Sequence, residues 1–419
     1  MHFSKFATRF SSESGIVNLM YDLGSAMAGD AEVLMLGGGN PGHIPAVQQY
    51  FHERMQRILE DPAEFAHIIG NYDSPQGEKK FIEALAEYFR KESGWEITSR
   101  NIALTAGSQA GFFLLFNMFG GEYGDGSHKR ILLPLTPEYI GYSDVGLVDN
   151  LFTARRPLIH KMDEHTFKYH IDFDQLKITK DIGALCVSRP TNPTGNLLTD
   201  DEMEQLTGLA GEAGVPLIID NAYGMPFPNI IFTEARLNWD ENTILCMSLS
   251  KLGLPGARTG IIVAREEIIR ALTNINAVLN LALGSFGPSL ALDLVNSGEI
   301  SRISEMLIKP FYRQKVEHAL ALFRRELDGV EYYIHKAEGA IFLWLWLPGM
   351  PISAEELYRR LKSRGVLIIP GHYFFPGLEE DWTHKHECIR VTYSMQDEVV
   401  EEGVKIIAGE IRAAFDQEK

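Results

Sequence analysis

The apolar positions fall into two rhythms. Between Gly77 and Ser93 they recur at helical spacing, with Phe81, Ile82, Leu85, Tyr88 and Phe89 on one face. Elsewhere they form short unbroken runs. Asn101–Thr105, Arg130–Leu135, Gly183–Ser188, Val215–Asp220, Thr243–Leu249 and Thr259–Ala264 each read as a strand covered on both faces. Helical stretches intervene: Ala110–Phe119 is an apolar helix, and Thr199-Asp-Asp-Glu202 is a capping box that opens another. This alternation predicts a doubly wound α/β core with a mainly parallel sheet, from about residue 46 to 305.

The texture changes near Pro310. A long helix to about Leu327 is followed by strand-like Tyr332–His335 and Ala340–Leu347, and Ser353–Glu356 caps another helix. Val366–Pro370 and Ile389–Tyr393 are further short strands, and Asp397–Phe415 is a closing helix. Residues 306–419 therefore read as a smaller α+β domain, and residues 1–45 as an arm joining it or another subunit. No repeat and no low-complexity block interrupts this organisation.

Composition narrows the function. Of 419 residues, 45% are apolar and 23% charged, the balance of a globular enzyme. Lys plus Arg is 39 against 56 Asp plus Glu, a net charge of −17, so nucleic acid and anionic membranes are expected to be repelled. The longest apolar run, Ile341–Leu347, is far short of the about 20 residues of a membrane span. Met1–Phe10 lacks a signal-peptide core, and three scattered cysteines make no disulfide framework. A cytoplasmic location is the expectation.

The chemistry concentrates at strand ends. In Leu245–Gly260 a buried strand runs into a glycine-rich turn carrying Ser248, Ser250, Lys251 and Arg258. A lysine is costly to bury, and a desolvated one is a free amine that can condense with an aldehyde. The neighbouring hydroxyls and arginine suit a phosphate monoester. A surface lysine after a strand is the plain alternative. The run Val215–Ile219 ends in Asp220-Asn-Ala-Tyr223, which places a carboxylate at the sheet's ligand-binding edge, where a protonated pyridine nitrogen would serve as partner. A helix N-cap is the plain reading there. In Ser188–Gly195 two prolines and a glycine fix a turn that presents Asn192.

Together these segments resemble the fold-type I pyridoxal-phosphate aminotransferases. The matching motifs are Gly107-Ser-Gln109, Asn192-Pro-Thr-Gly195, Asp220-Asn-Ala-Tyr223 and Ser248-Leu-Ser-Lys251 with Arg258, spread over nearly the whole chain. The resemblance implies that Lys251 binds pyridoxal 5′-phosphate covalently and moves the Cα proton, and that Asp220 keeps the ring nitrogen protonated. Tyr223 and Asn192 would bond the ring's phenolate oxygen, and Tyr139 would stack on the ring. Ser108, Gln109, Ser248 and Arg258 would hold the phosphate, with Tyr72 lent across a homodimer interface. Arg390 would grip the substrate carboxylate, which the backbone at Gly39 approaches. Arg258 follows Lys251 by seven residues where many relatives have eight, which implies a tighter loop. The longer strings Met35–Pro41, Leu135–Tyr142, Arg189–Asn196 and Gly365–Gly377 imply a member acting in amino acid biosynthesis on small aliphatic amino acids and 2-oxo acids, the valine and alanine/pyruvate pairs.

Other readings are weighed against this. The same lysine and pyridinium clamp would also serve β-elimination or decarboxylation, because the choice depends on which Cα bond stands square to the ring. A non-catalytic regulator on this fold would carry a basic DNA-binding domain ahead of the core, which neither the charge nor the sequence suggests. Gly37–Gly42 matches G-x-G-x-x-G but lacks the following parallel strand with its acidic end, so a turn shaped for close substrate approach is expected. His384-Lys-His386-Glu-Cys388 is expected to be an exposed histidine-rich loop rather than a metal site. Phe342–Trp346 is expected in a sheet core, and Glu401, Glu402 and Glu410 on a solvated face.

Overall fold

A computed structural model describes residues 2–11, 17, 21, 24 and 33–416. Part of the N-terminal arm expected over residues 1–45 lies outside the described residues.

Two sheets organise the chain. The larger has the spatial order Ile102–Thr105, Gly260–Val263, Thr243–Ser248, Leu217–Asp220, Ile182–Ser188, His128–Leu133, with Phe152–Ala154 and Gly121–Glu122 also on the last of these. The four strands from Thr243–Ser248 to His128–Leu133 are mutually parallel, and Gly260–Val263 runs antiparallel to both its neighbours. The strands Ile182–Ser188, Leu217–Asp220, Thr243–Ser248 and Gly260–Val263 are buried at every position, which is why their sequences are continuous apolar runs. Helices cover them: Lys79–Ser93 buries the predicted stripe Phe81, Ile82, Leu85, Tyr88 and Phe89. Asp200–Ala213 starts at the predicted Thr199/Glu202 capping box.

The register brings the ends of three parallel strands level. Ser188 pairs with Asp220, and Asp220 with Cys246, two residues before Ser248. Their carboxyl ends form one edge, where the crossover connections of a doubly wound sheet leave a crevice.

The second sheet has the order Ile369–Pro370, Cys388–Thr392, Phe342–Trp346, Tyr333–His335, Thr166–His170, Leu158–Lys161. Its last two strands come from within the span that the sequence pattern assigns to the larger unit. Thr166–His170 pairs in parallel with Tyr333–His335, across more than 160 positions of chain. Leu34–Met35 pairs with Val366–Leu367, so this part of the arm lies against the C-terminal region, whereas Arg9 donates to the Gly146 and Val148 carbonyls and Phe10 meets Phe113 in the larger unit. The Phe342–Trp346 strand is sheet core, as expected: its first four residues are buried.

Two surface expectations are corrected. His384 is not in an exposed loop: it is 3% exposed, bonded to the Tyr169 hydroxyl and stacked on Trp382 at 4.5 Å. Two tryptophans and a tyrosine enclose it, and burial pushes the ring down to about 3. His386 alone is exposed. On the last helix Glu402 is solvated, but Glu410 is half-buried against Arg364 at 2.6 Å. No helix among the described residues is long and apolar enough to cross a membrane.

Candidate active site

Asp220 terminates its strand at the crevice, 8% exposed. Its Oδ1 accepts the Ala222 N–H at 3.1 Å, and its Oδ2 accepts the Tyr142 hydroxyl at 2.7 Å. Burial pushes the carboxyl up to about 6, against the pull of these donors and of Lys251. Lys251 sits in the short turn Ser250–Leu252 just past the neighbouring strand. Its Nζ donates to the Gly39 carbonyl and lies 5.4 Å from the centre of the Tyr223 ring. Burial, followed by the positive charges of Arg390 and Arg258, pushes the amine down to about 8. It is therefore far closer to a free amine at neutral pH than an exposed lysine is.

Arg390 comes from the second sheet and is 2% exposed. Its Nη1 donates to Asn192 Oδ1 at 2.7 Å and its Nη2 to the Gly37 carbonyl at 2.6 Å. The guanidinium centre lies 4.1 Å from the Phe342 ring centroid and 5.1 Å from that of Phe374, two cation–π contacts. Its Nε is buried without a partner. Desolvation pushes even this arginine down to about 10. An arginine held this dry, with a donor to spare, has the chemistry to take a carboxylate. Asn192 is bifunctional: the carbonyl of its amide orients the arginine, leaving its N–H₂ end as a donor.

The remaining site residues divide into three groups. Ser108 and Gln109 open the twelve-residue helix Ser108–Phe119, whose first-turn N–H groups lack intrahelical acceptors. The guanidinium of Arg258 lies against Gly107, where a Cβ would stand 2.2 Å from Nη2 and displace it, and the φ of +85° favours glycine there. A Cβ at Gly260, the register partner of Ser248, would stand 2.8 Å from the Ser108 nitrogen. Gly107, Ser108, Ser248 and Arg258 thus converge. The seven-residue spacing from Lys251 to Arg258 is accommodated by two consecutive short turns, Ser250–Leu252 and Pro255–Ala257, with Arg258 itself at φ +47°.

Tyr139 and Tyr223 form the second group, on the walls. Tyr139 meets Tyr142 edge-on at 5.5 Å, and Tyr223 meets Phe342 edge-on at 6.0 Å. The Gly37–Gly42 turn, with Gly39, borders the cleft: Gly37 and Gly39 offer carbonyls, and the Gly42 N–H donates to the Tyr312 hydroxyl at 2.7 Å. Tyr72 stands alone. It is 83% exposed, out in solvent rather than in the cleft of its own chain. Beside Lys251 a cleft of about 200 Å³ runs between Asn40, Val47, Phe51 and Tyr312.

The sequence reading missed Tyr142, the donor to Asp220, although it lies inside the quoted string Leu135–Tyr142. It also missed Phe374 and the role of Phe342 beside Arg390. An apolar strand or loop residue carries no local sign that it will face a guanidinium.

Known proteins match this arrangement over its whole length. The family described as "Aminotransferase class I and II" matches residues 46–407. The chain belongs to the class I and II aminotransferases. The valine–pyruvate aminotransferase of Escherichia coli (strain K12) is 51% identical over 415 residues, 99% of both chains. The crystal structure of valine-pyruvate aminotransferase from Salmonella typhimurium LT2 superposes with a TM-score of 0.88 at 50% identity, covering 96% of this chain and 100% of that one. The α-aminoadipate aminotransferase of Thermus thermophilus, solved with N-(5′-phosphopyridoxyl)-L-leucine, shares the fold at a TM-score of 0.78 and 23% identity, over 99% and 98% of the two chains.

The family's cofactor is pyridoxal 5′-phosphate, and the residues present fit it. The donors at Gly107, Ser108, Ser248 and Arg258 have the chemistry of a phosphate cradle. The amide oxygen Gln109 Oε1 and the Arg390 Nε are buried without partners. The buried amine of Lys251 and the buried carboxyl of Asp220 act on one another in the same site.

Proposed function

We propose that this aminotransferase exchanges amino groups between small aliphatic amino acids and 2-oxo acids, with L-valine plus pyruvate giving 3-methyl-2-oxobutanoate plus L-alanine. The observation that carries it is the convergence of Lys251, Asp220 and Arg390 from three separated segments on one crevice. The 51% identical relative supports the substrate pair. So does the cleft beside Lys251, whose apolar walls, Ile44, Val47 and Phe51, suit a short branched side chain.

When bound, pyridoxal phosphate supplies an aldehyde carbon for covalent capture of amines and a ring that withdraws electrons from the substrate Cα. The chain's residues do the rest. Lys251, its amine brought by burial far closer to neutrality than an exposed lysine's, binds the cofactor and then carries a proton at Cα. Asp220, ionised, holds a proton at the pyridine nitrogen. Tyr223 and the amide N–H of Asn192 bond the phenolate oxygen, and Tyr139 stacks on the ring. Ser108, Gln109, Ser248 and Arg258 bind the phosphate. Arg390 holds the substrate carboxylate by its fork, fixing the substrate's angle, while the Gly39 backbone excludes water from that side.

We further infer a homodimer in which Tyr72 reaches the partner's phosphate. The exposed apolar side chains Leu59, Phe65, Ile69, Val278, Leu279, Leu281 and Phe286 support this: the segments they belong to adjoin that of Tyr72, tied to it by Ser285 to Asp73. The three cysteines are buried and free, which fits the reducing cytoplasm.

Two measurements test the reading. Borohydride reduction followed by peptide mapping is expected to place the cofactor on Lys251, and Lys251→Ala to lose turnover. Adding L-valine or L-alanine is expected to bleach the yellow enzyme, and pyruvate to restore its colour. A label elsewhere overturns the mechanism; no response to either amino acid overturns the substrate assignment. Ammonia release without an oxo acid would instead favour elimination.

A further inference from the structure

Asp220 is not the only buried carboxyl in this region. Glu138 is 0% exposed. Its Oε1 accepts the Ser188 N–H at 2.8 Å, and its Oε2 touches the Ser188 hydroxyl. The Ser188 hydroxyl lies 3.4 Å from the Tyr142 oxygen, which donates to Asp220 Oδ2 at 2.7 Å. Four side chains thus stand in file behind the site. Two sit at the ends of neighbouring strands, and two on the turn that also carries Tyr139.

The surroundings decide which carboxyl bears the charge. Glu338, also fully buried, is answered by Lys168 and by Lys336 at 2.9 Å. Glu138 has no ion pair among the described residues. The titratable groups that act on it or feel it are Tyr142 on its own turn, Cys186 on the strand Ile182–Ser188, and Asp220 on the strand Leu217–Asp220; all three are acids. Two carboxylates in one dry region cannot both ionise cheaply. Both carboxyls receive donors, but only Asp220 has a positive charge, that of Lys251, acting on it, so the charge belongs there. Burial pushes Glu138 up to about 8 and Asp220 only to about 6, the same order.

Proton counting completes the case. With Glu138 ionised, Ser188 donates to it, Tyr142 donates to Asp220, and no proton lies between Ser188 and Tyr142. With Glu138 protonated, each hydroxyl accepts once and donates once, all in the direction of Asp220. We propose that Glu138 is a neutral carboxylic acid and a positioning residue, heading a donor chain through Ser188 and Tyr142 that holds Asp220 ionised against the cofactor's ring nitrogen. The effect on the cofactor rests on the reading of Asp220 given above; the protonation of Glu138 does not.

Two experiments on the holoenzyme test it. The infrared spectrum at neutral pH is expected to show the carbonyl band of a protonated carboxylic acid, absent in Glu138→Gln and shifted in Ser188→Ala. A spectrum unchanged by both variants overturns the proposal. The visible absorbance of the bound cofactor is then titrated. Glu138→Gln keeps a neutral donor and should leave the midpoint in place. Tyr142→Phe should raise the midpoint and lower kcat about tenfold, with KM within about twofold, the loss of one hydrogen bond to a charge. A midpoint moved as far by Glu138→Gln as by Tyr142→Phe, or moved by neither, overturns the chain. A cofactor found off Lys251 would instead overturn the reading of the site and leave the infrared result standing.

Discussion

Lys251 answers to opposed influences: burial and two arginines press its amine toward neutrality, and Asp220 draws it back. Because the amine sits near 8, its reactive form grows as pH rises through that value and is complete above it. Capture of pyridoxal phosphate by cofactor-free protein is therefore expected to accelerate with pH and level off above about 8, followed by stopped-flow absorbance. A rate still climbing toward the pKa of an exposed lysine would contradict the burial argument. Arg390 makes a second prediction. Its fork serves Asn192 and Gly37 at once, a geometry no ammonium can copy. Arg390→Lys is expected to lower kcat/KM for amino acids by about 10- to 100-fold, mostly through KM, the range for a charge-assisted bond. Lys251 and Asp220 were legible in the sequence because each stands at the end of an apolar strand, whereas Arg390 was drawn only from the family resemblance. Tyr142 was not: its partner Asp220 is 78 residues away, and nothing local joins them.

The larger elements were legible for the same reason, since strands buried on both faces write unbroken apolar runs. The pair Leu158–Lys161 and Thr166–His170 was not. The first is nearly all exposed, and the second carries Lys168 in its middle, which reads as a solvated face. The structure buries that lysine. Its Nζ donates to Asn196 Oδ1 and the Leu197 carbonyl, both at 2.9 Å, and pairs with Glu338. The ion pair thus fastens the second sheet to the loop that presents Asn192 to Arg390. Removing one partner of a buried pair strands the other, so Lys168→Met is expected to cost about 3 kcal/mol, at the lower end of the range because Lys336 still faces Glu338. The double variant Lys168→Met, Glu338→Leu is expected to recover most of that loss. Urea unfolding of the three proteins checks it; equal losses in single and double variants would mean that the loop, not the charge, had failed.

At the scale of the whole molecule, the features left over in one chain are those that a second chain would use. Tyr72 is exposed at 83%, yet it belongs to the segment Asn71–Gly77, whose bonds to the core are numerous: Gln76 reaches Ser99 and Ile102, and Asn276 reaches Pro75. A tyrosine mounted so firmly and aimed at water suits a docking role. The neighbouring segments also expose Ile69, Leu281 and Val278, the last at 85%, apolar side chains of the kind that mark an interface. A dimer across this face would complete each site with the partner subunit's Tyr72. Mixing separates that arrangement from a dimer of self-sufficient chains. Lys251→Ala chains supply an intact Tyr72 but no amine; Tyr72→Ala chains supply an amine but no tyrosine. In a mixed dimer one site lacks both and the other is whole. Unfolding and refolding the two variants together in equal amounts makes about half the dimers mixed, so about a quarter of wild-type sites return. Activity above the sum of the separately refolded variants, approaching that share, is the expected outcome. If each site used its own chain's tyrosine, no mixture would regain a whole site, and activity would stay at the simple sum.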